Sequence, residues 1–143
     1  MTNQQGLEGI LAPEGLYYTL QHEWVRFTGP TAEVGITAYA AGELGYVVFV
    51  ELPKVGAQII QFAKLGQVES VKTVADYFSP VSGEVARVNG RLKQEPELVN
   101  KEPYGQGWLV KLSIDPIEQQ AMVSKLLTAD KYITLLSNLQ PSH

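Results

Sequence analysis

The sequence predicts an all-β sandwich or flattened barrel of short antiparallel strands, with a short helix after the first hairpin and a helical tail at the C-terminus. Three observations carry this. From Leu16 to Val88 the apolar, β-branched and aromatic residues come in short runs separated by turn-forming residues such as Gly29-Pro30 and Pro53 to Gly56, the punctuation of many short strands. Trp108, Val110, Leu112 and Ile114 alternate with Leu109, Lys111 and Ser113, which gives a last strand with one buried face. Asp115-Pro116 and Thr128 then open segments with helical spacing.

In chain order, residues 1–15 read as a loose polar extension, with Ile10-Leu11 as its anchor. Residues 16–137 read as one domain that includes the C-terminal helices, and 138–143 as a tail. Leu16 to Thr19 starts a strand. His22 to Phe27 and Thr31 to Ile36 form a first hairpin around Gly29-Pro30, with Ala32, Val34 and Ile36 on one face. Thr37 can cap a short helix that Gly45 closes in the left-handed conformation. Val47 to Leu52 is almost continuously apolar, which predicts a central strand. Ala57 to Phe62 makes another strand, and Leu65 to Val71 runs to a tip at Lys72. Thr73 to Phe78 returns, Pro80 to Gly83 interrupts, and Glu84 to Val88 continues as strand. Asn89 to Gly107 reads as an irregular stretch wrapping the surface. After Ile114, Ile117, Ala121 and Met122 supply the apolar positions of one helix, and Tyr132, Leu135 and Leu136 those of a second. These helices are expected to cover an open end of the β-structure, and Pro141 to stop the last one.

Composition excludes several function classes. The net charge of −4 is spread over interspersed acids and bases, so no basic patch suited to nucleic acid or anionic membrane is expected. No apolar run approaches the ~20 residues of a membrane span. Met1 to Gly15 holds no Arg or Lys and no continuous apolar stretch, unlike a signal or transit peptide, so a cytoplasmic protein is expected. The absence of cysteine removes disulfides, thiolate nucleophiles and Cys-ligated metals together. The only histidines are His22 and the terminal His143, too few for a zinc site. No P-loop, GxGxxG or nucleophile elbow is present. The chain is therefore expected to have no catalytic residues and no metal.

What remains is Lys72, in the middle of Gln67 to Pro80 and near the tip of a tight hairpin. A lysine at a turn usually has no role beyond solubility. Here Glu69, Ser70 and Asp76 stand at fixed offsets around it, and Val68, Val71 and Val74 can hold the hairpin rigid. A lysine has a flexible stem and an amine that forms stable amides. Such a residue suits a tethered carrier group, whose effective concentration at successive sites is raised by the tether.

Glu69-Ser70-Val71-Lys72, with Asp76 and Ser79-Pro80-Val81-Ser82-Gly83-Glu84-Val85, closely resembles the lipoyl-lysine motif of glycine cleavage system H proteins. His22-Glu23-Trp24-Val25 resembles that family's early segment. So do Gly35-Ile36-Thr37 with Leu44-Gly45, Val48 to Pro53 with Val55-Gly56, and Pro96 to Asn100 with Pro103-Tyr104-Gly105 and Gly107-Trp108. The likeness runs from about Tyr17 to Leu136 and implies a lipoyl-domain-like fold. It implies lipoic acid held covalently on Lys72, with Glu69 and Ser70 read by the lipoate-attaching enzyme. It places Glu23, Asp76 and Ser79 in the cleft where the loaded arm rests. The plain alternative is that Glu23 and Asp76 are solvated charges and Ser79 a turn residue.

The implied partners are the P protein (glycine decarboxylase), which loads an aminomethyl group, the T protein (aminomethyltransferase), which receives it, and the L protein (dihydrolipoyl dehydrogenase), which reoxidises the arm. A monomer is expected. Tyr39, Glu43, Tyr46 and Thr73 to Ala75 depart from the usual family pattern. Open alternatives are an H-like carrier for another lipoate-dependent pathway such as sulfur oxidation, and an unmodified interaction module. A biotinyl carrier would place Met on both sides of the lysine, where this chain has Val71 and Thr73.

Overall fold

The computed structural model describes residues 11–139. The expected extension up to Ile10, the stop at Pro141 and the terminal His143 lie outside the described residues. Among the described residues no helix is long and apolar enough to cross a membrane.

The strands are β1 (Tyr17–Tyr18), β2 (Glu23–Thr28), β3 (Thr31–Ile36), β4 (Val47–Val50), β5 (Gln58–Ile59), β6 (Lys64–Ser70), β7 (Val74–Phe78), β8 (Gly83–Val88) and β9 (Val110–Ser113). The helices are α1 (Ala38–Leu44), α2 (Leu98–Lys101), α3 (Gln119–Val123) and α4 (Ala129–Leu139). All pairings are antiparallel. They make a six-stranded sheet ordered β1-β2-β3-β9-β8-β5 and a three-stranded sheet ordered β4-β6-β7. The two sheets share one apolar core. Val25, Val34, Val85 and Leu112 come from the larger sheet, and Val47, Val50, Val68 and Tyr77 from the smaller. The sandwich reading holds, and the sheets do not close into a barrel.

Several elements differ from expectation. The apolar run Val47 to Leu52 is an edge strand, not a central one. A bulge between Val47 and Phe49 splits it, so that Val47 and Val50 face the core while Val48 and Phe49 face out. The expected strand from Ala57 to Phe62 shrinks to Gln58–Ile59, and Phe62 has φ +71, which no strand accommodates. The irregular stretch 89–107 contains a 3₁₀ turn at Gly90–Lys93 and α2. Asp115 caps a 3₁₀ turn at Pro116–Glu118 through the Ile117 N–H at 3.0 Å. Ile117 itself is 89% exposed and takes no part in the apolar stripe.

α1 forms as its sequence indicates. The Thr37 hydroxyl accepts from the Ala40 N–H at 3.2 Å. Gly45 ends the helix at φ +83 and ψ −162, a glycine region different from the left-handed helical one expected. α4 does cover one end of the larger sheet. The Tyr132 ring stacks on Tyr18 with centroids 4.7 Å apart. Both belong to a second buried cluster with Leu16, Trp24 and Leu136.

Trp24 is the fixed point of that cluster. Its indole N–H is shared between the Ile36 carbonyl at 3.1 Å and the Pro103 carbonyl at 3.0 Å, which satisfies its one polar atom in a fully buried setting. The indole lies flat over Gly35, its partner on β3. A Cβ at Gly35 would meet the ring at 2.6 Å, so the close approach requires glycine. Gly35→Ala is expected to lower unfolding free energy by about 1–3 kcal/mol through overpacking, read as a lower midpoint in thermal or urea unfolding. An unchanged midpoint would show that the Trp24 side chain moves aside freely.

Candidate functional site

Lys72 lies in the turn Val71-Lys72-Thr73 between β6 and β7, and is exposed. The hairpin is in register up to the turn, with Gln67 opposite Asp76, Val68 opposite Ala75 and Glu69 opposite Val74. Ser70 shapes the tip from inside. Its buried hydroxyl accepts from the Lys72 N–H at 3.2 Å and the Thr73 N–H at 3.1 Å, and its own N–H donates to the Thr73 carbonyl at 2.8 Å. The Val71 N–H donates to the Tyr46 carbonyl at 3.0 Å, tying the tip to the residue before β4. A lysine is thus presented on a backbone whose turn donors are satisfied. Its stem leans along Gly45, where a Cβ would stand 3.3 Å from the Lys72 Cε. Glycine at 45 thus serves both the backbone angle and the lysine's path.

Beside the tip opens a cleft of about 380 Å³. One wall is β7 with Thr73, Ala75 and Asp76, and the opposite wall is α1 with Tyr39, Ala40 and Glu43. Ile36, Leu44 and Val68 supply apolar surface, and His22 and Glu23 also line it. Two of the expected cleft residues, Glu23 and Asp76, therefore meet on it. The third, Ser79, is not among its lining residues. It is fully buried, and its hydroxyl donates to the Val81 carbonyl at 2.6 Å and accepts from the Val81 N–H at 3.3 Å. A side chain consumed by its own turn presents nothing to a cleft.

Glu23 is buried, so the reading of a solvated charge does not hold for it. One carboxyl oxygen accepts from the Thr19 hydroxyl and the other from the Phe78 N–H at 3.0 Å. Burial outweighs these donors and pushes its pKa up to about 7. Asp76 is exposed. The Gln67 amide at 3.0 Å and the Lys64 ammonium at 3.2 Å hold its carboxyl below the usual range. Of these two carboxyls, burial favours the neutral form of Glu23, and hydrogen bonds favour the ionised form of Asp76.

His22, with φ +76, turns the chain into β2. Its Nδ1 lies 2.8 Å from the Tyr132 hydroxyl, which also lies 2.8 Å from the Thr37 hydroxyl. Burial lowers the His22 pKa, opposed by the nearby Glu43 carboxylate. Sequence reasoning missed this chain and the Thr19 clasp. Thr19 carries a local signal, a hydroxyl four residues before a carboxylate across a turn. Tyr132 carries none, since it arrives from the far end of the chain. Among the described residues no three His, Cys, Asp or Glu side chains converge as a metal site would require.

The family model described as glycine cleavage H-protein matches residues 16–139. A glycine cleavage system H protein of Mycobacterium sp. (strain KMS) is 52% identical over 121 residues, 84% of this chain and 92% of that one. One from Brevibacillus brevis is 50% identical over 120 residues, 84% of this chain and 93% of its own. The crystal structure of a glycine cleavage system H protein from Mycobacterium marinum superposes with a TM-score of 0.78 at 36% identity, covering 87% of this chain and 98% of that one. With a tip-borne lysine beside a cleft on this two-sheet fold, and with family likeness from the first strand to the last helix, the chain belongs to the glycine cleavage H-protein family.

Proposed function

We propose that this protein is the lipoyl carrier of a glycine cleavage system, with lipoate in amide linkage to Lys72 Nζ. The observation that carries the reading is a rigidly presented lysine whose turn neighbour, Thr73, already forms part of the cleft wall. The residues fit the group. A cleft of about 380 Å³ is in the size range of small-molecule sites. Ile36, Leu44, Val68 and Ala75 give it apolar surface for an aliphatic arm, and Glu23, Asp76 and Glu43 give it acidic groups for a cationic end. When bound, lipoate would supply a cyclic disulfide whose S–S bond is reduced as an aminomethyl group is loaded at the P protein; release of that group at the T protein would leave a dithiol for the L protein to reoxidise.

The chain's own part is to hold and shield. Ser70 keeps the tip in one conformation, so the amine is displayed to the lipoate-attaching enzyme. Glycine at 45 leaves the lysine stem free to lie against the end of α1, beside Leu44 on the cleft wall. The walls exclude water from whatever rests between them, which suppresses hydrolytic loss. Glu23 lines the cleft as an acceptor that can also carry a proton at near-neutral pH.

Lys72→Arg is expected to fold normally, since an exposed turn residue contributes little to stability. It is expected to gain no lipoyl mass from a lipoate ligase with ATP and lipoate, whereas the wild-type chain gains a single increment mapping to Lys72. A wild-type chain that stays unmodified, or is modified elsewhere, sinks the assignment.

Glu23 gives a second prediction. The folded carboxyl holds its proton up to about pH 7, while the unfolded one releases it near 4.5. The folded state therefore binds the extra proton between these values. The stability this confers is fully present below about pH 4.5 and is lost as pH rises to about 7, on the order of 3 kcal/mol in all. A protonated carboxyl can still accept on both oxygens and aim its hydrogen into the cleft. A glutamine at 23 would have to face one of the two donors with its NH₂. Glu23→Gln is accordingly expected to cost about 1–3 kcal/mol at pH 5 and to flatten the fall in unfolding free energy between pH 5 and 8. An equally steep pH dependence in that variant would show that other groups cause it.

A further inference from the structure

A second cavity, of about 340 Å³, shares only Gln21 with the cleft beside Lys72. Thr19 and Leu20 line it from the turn before β2, Phe62 and Phe78 from a second side, and Lys125 from the turn after α3. Leu20, Phe62 and Phe78 belong to neither buried cluster. Neither phenylalanine ring pairs with another aromatic side chain among the described residues. Phe62 has φ +71, a region that a bulky side chain enters only at a cost and glycine enters freely. With 45% of it exposed, its ring offsets little of that cost through core packing. Strain kept without a packing return points to a use outside the core. The turn is nonetheless held firmly. The Phe62 N–H donates to the Ser79 carbonyl at 2.6 Å, and the Ser79 N–H to the Ala63 carbonyl at 2.9 Å. The Gln61 amide donates to the carbonyls of Pro80 at 2.9 Å and Met122 at 3.0 Å, which ties the Phe62 turn to α3. Little ordering cost is left to meet on binding.

We propose that this cavity binds a small aromatic monocarboxylate, its carboxylate on Lys125 Nζ and its ring against Phe62 and Phe78. Charge selects the head group. Lys125 is the one charged side chain on the lining, and it makes no ion pair among the described residues. A single ammonium beside apolar walls suits one compact anion on an apolar body. The two unpaired rings select the body, since aromatic pairs gain more than their buried area alone supplies. The shape selects a free molecule. This volume is in the range of small-molecule sites, whereas a partner protein needs about 800 Å² of its own surface covered.

The site adjoins the arm cleft without being part of it. Thr19 and Phe78 both line the cavity, and both donate to the Glu23 carboxyl that lines the cleft. A ligand here therefore rests on the two donors that hold Glu23, and its binding is felt at the Phe78 N–H. Lys72 is not among the lining residues, so the site goes beyond the carrier reading and stands or falls apart from it.

The test is titration of the full chain with hydrocinnamate, followed in amide nitrogen–proton NMR spectra. A Kd on the order of 0.1–1 mM is expected for a ligand of this size, with saturable shifts concentrated on Thr19 to Gln21, Phe62, Phe78 and Lys125. Hydrocinnamyl alcohol, the neutral counterpart, is expected to bind about ten-fold more weakly, and Lys125→Gln to abolish that preference. Hexanoate, which has no ring, is expected to bind about five-fold more weakly. Phe62→Gly is expected to weaken hydrocinnamate binding about ten-fold while its unfolding midpoint stays level or rises, because glycine relieves the strained φ. A ring kept only for packing would instead give a lower midpoint with binding unchanged. That result, the absence of saturable shifts at these residues, or equal binding of the acid and the alcohol overturns the site. Equal binding of hexanoate overturns the aromatic class.

Discussion

A single buried carboxylate joins the two halves of this fold. Glu23 sits on the second strand of the larger sheet and accepts from the backbone of Phe78 on the last strand of the smaller one. Its other oxygen is held by Thr19 at the turn that leads into its own strand. A carboxyl group so buried is costly unless it is hydrogen-bonded, and here both oxygens are engaged while burial favours the neutral form. The clasp fixes how far the hairpin wall stands from the rest of the molecule, and so it fixes the shape of the cleft. The lysine tip, at the other end of that hairpin, inherits its position from the same tie.

The opposite wall depends on a second chain of polar contacts, from His22 through Tyr132 to Thr37. Thr37 also caps the helix that carries Tyr39 and Glu43. The last helix therefore does more than cover an end of a sheet. It braces the residue that starts the cleft-wall helix and the residue that turns the chain into the second strand.

Much of this was legible in the sequence where the signal is local. The hairpin around Lys72 showed in its β-branched flanks, Val68, Val71 and Val74, and in the break that begins at Pro80. The first hairpin showed in alternation, and the wall helix in Thr37 and Gly45. What failed did so for identifiable reasons. Val47 to Leu52 looks central because apolar content ignores strand order; a bulge turns two of its side chains outward. Phe62 looks like a strand residue because side-chain type says nothing of its positive φ. Ser79 falls within the resembling segment, yet its hydroxyl closes a turn instead of facing the cleft. The burial of Glu23 was invisible because its second partner, Phe78, reaches it only by the docking of two sheets.

The contact between Tyr132 and the cleft wall has a temporal side. A ribosome releases the chain from its N-terminus, and the His22 turn and Thr37 emerge long before the helix that braces them. Until that helix arrives, the hydroxyl of Thr37 and the ring of His22 lack their shared partner, and the wall they support is unbraced. The lysine hairpin, by contrast, leans on partners that have already emerged, the Tyr46 carbonyl for Val71 and the Glu23 carboxyl for Phe78. During synthesis the tip can be formed while the cleft beside it is still open, so the nascent protein displays its lysine before it has a place to shelter anything attached there.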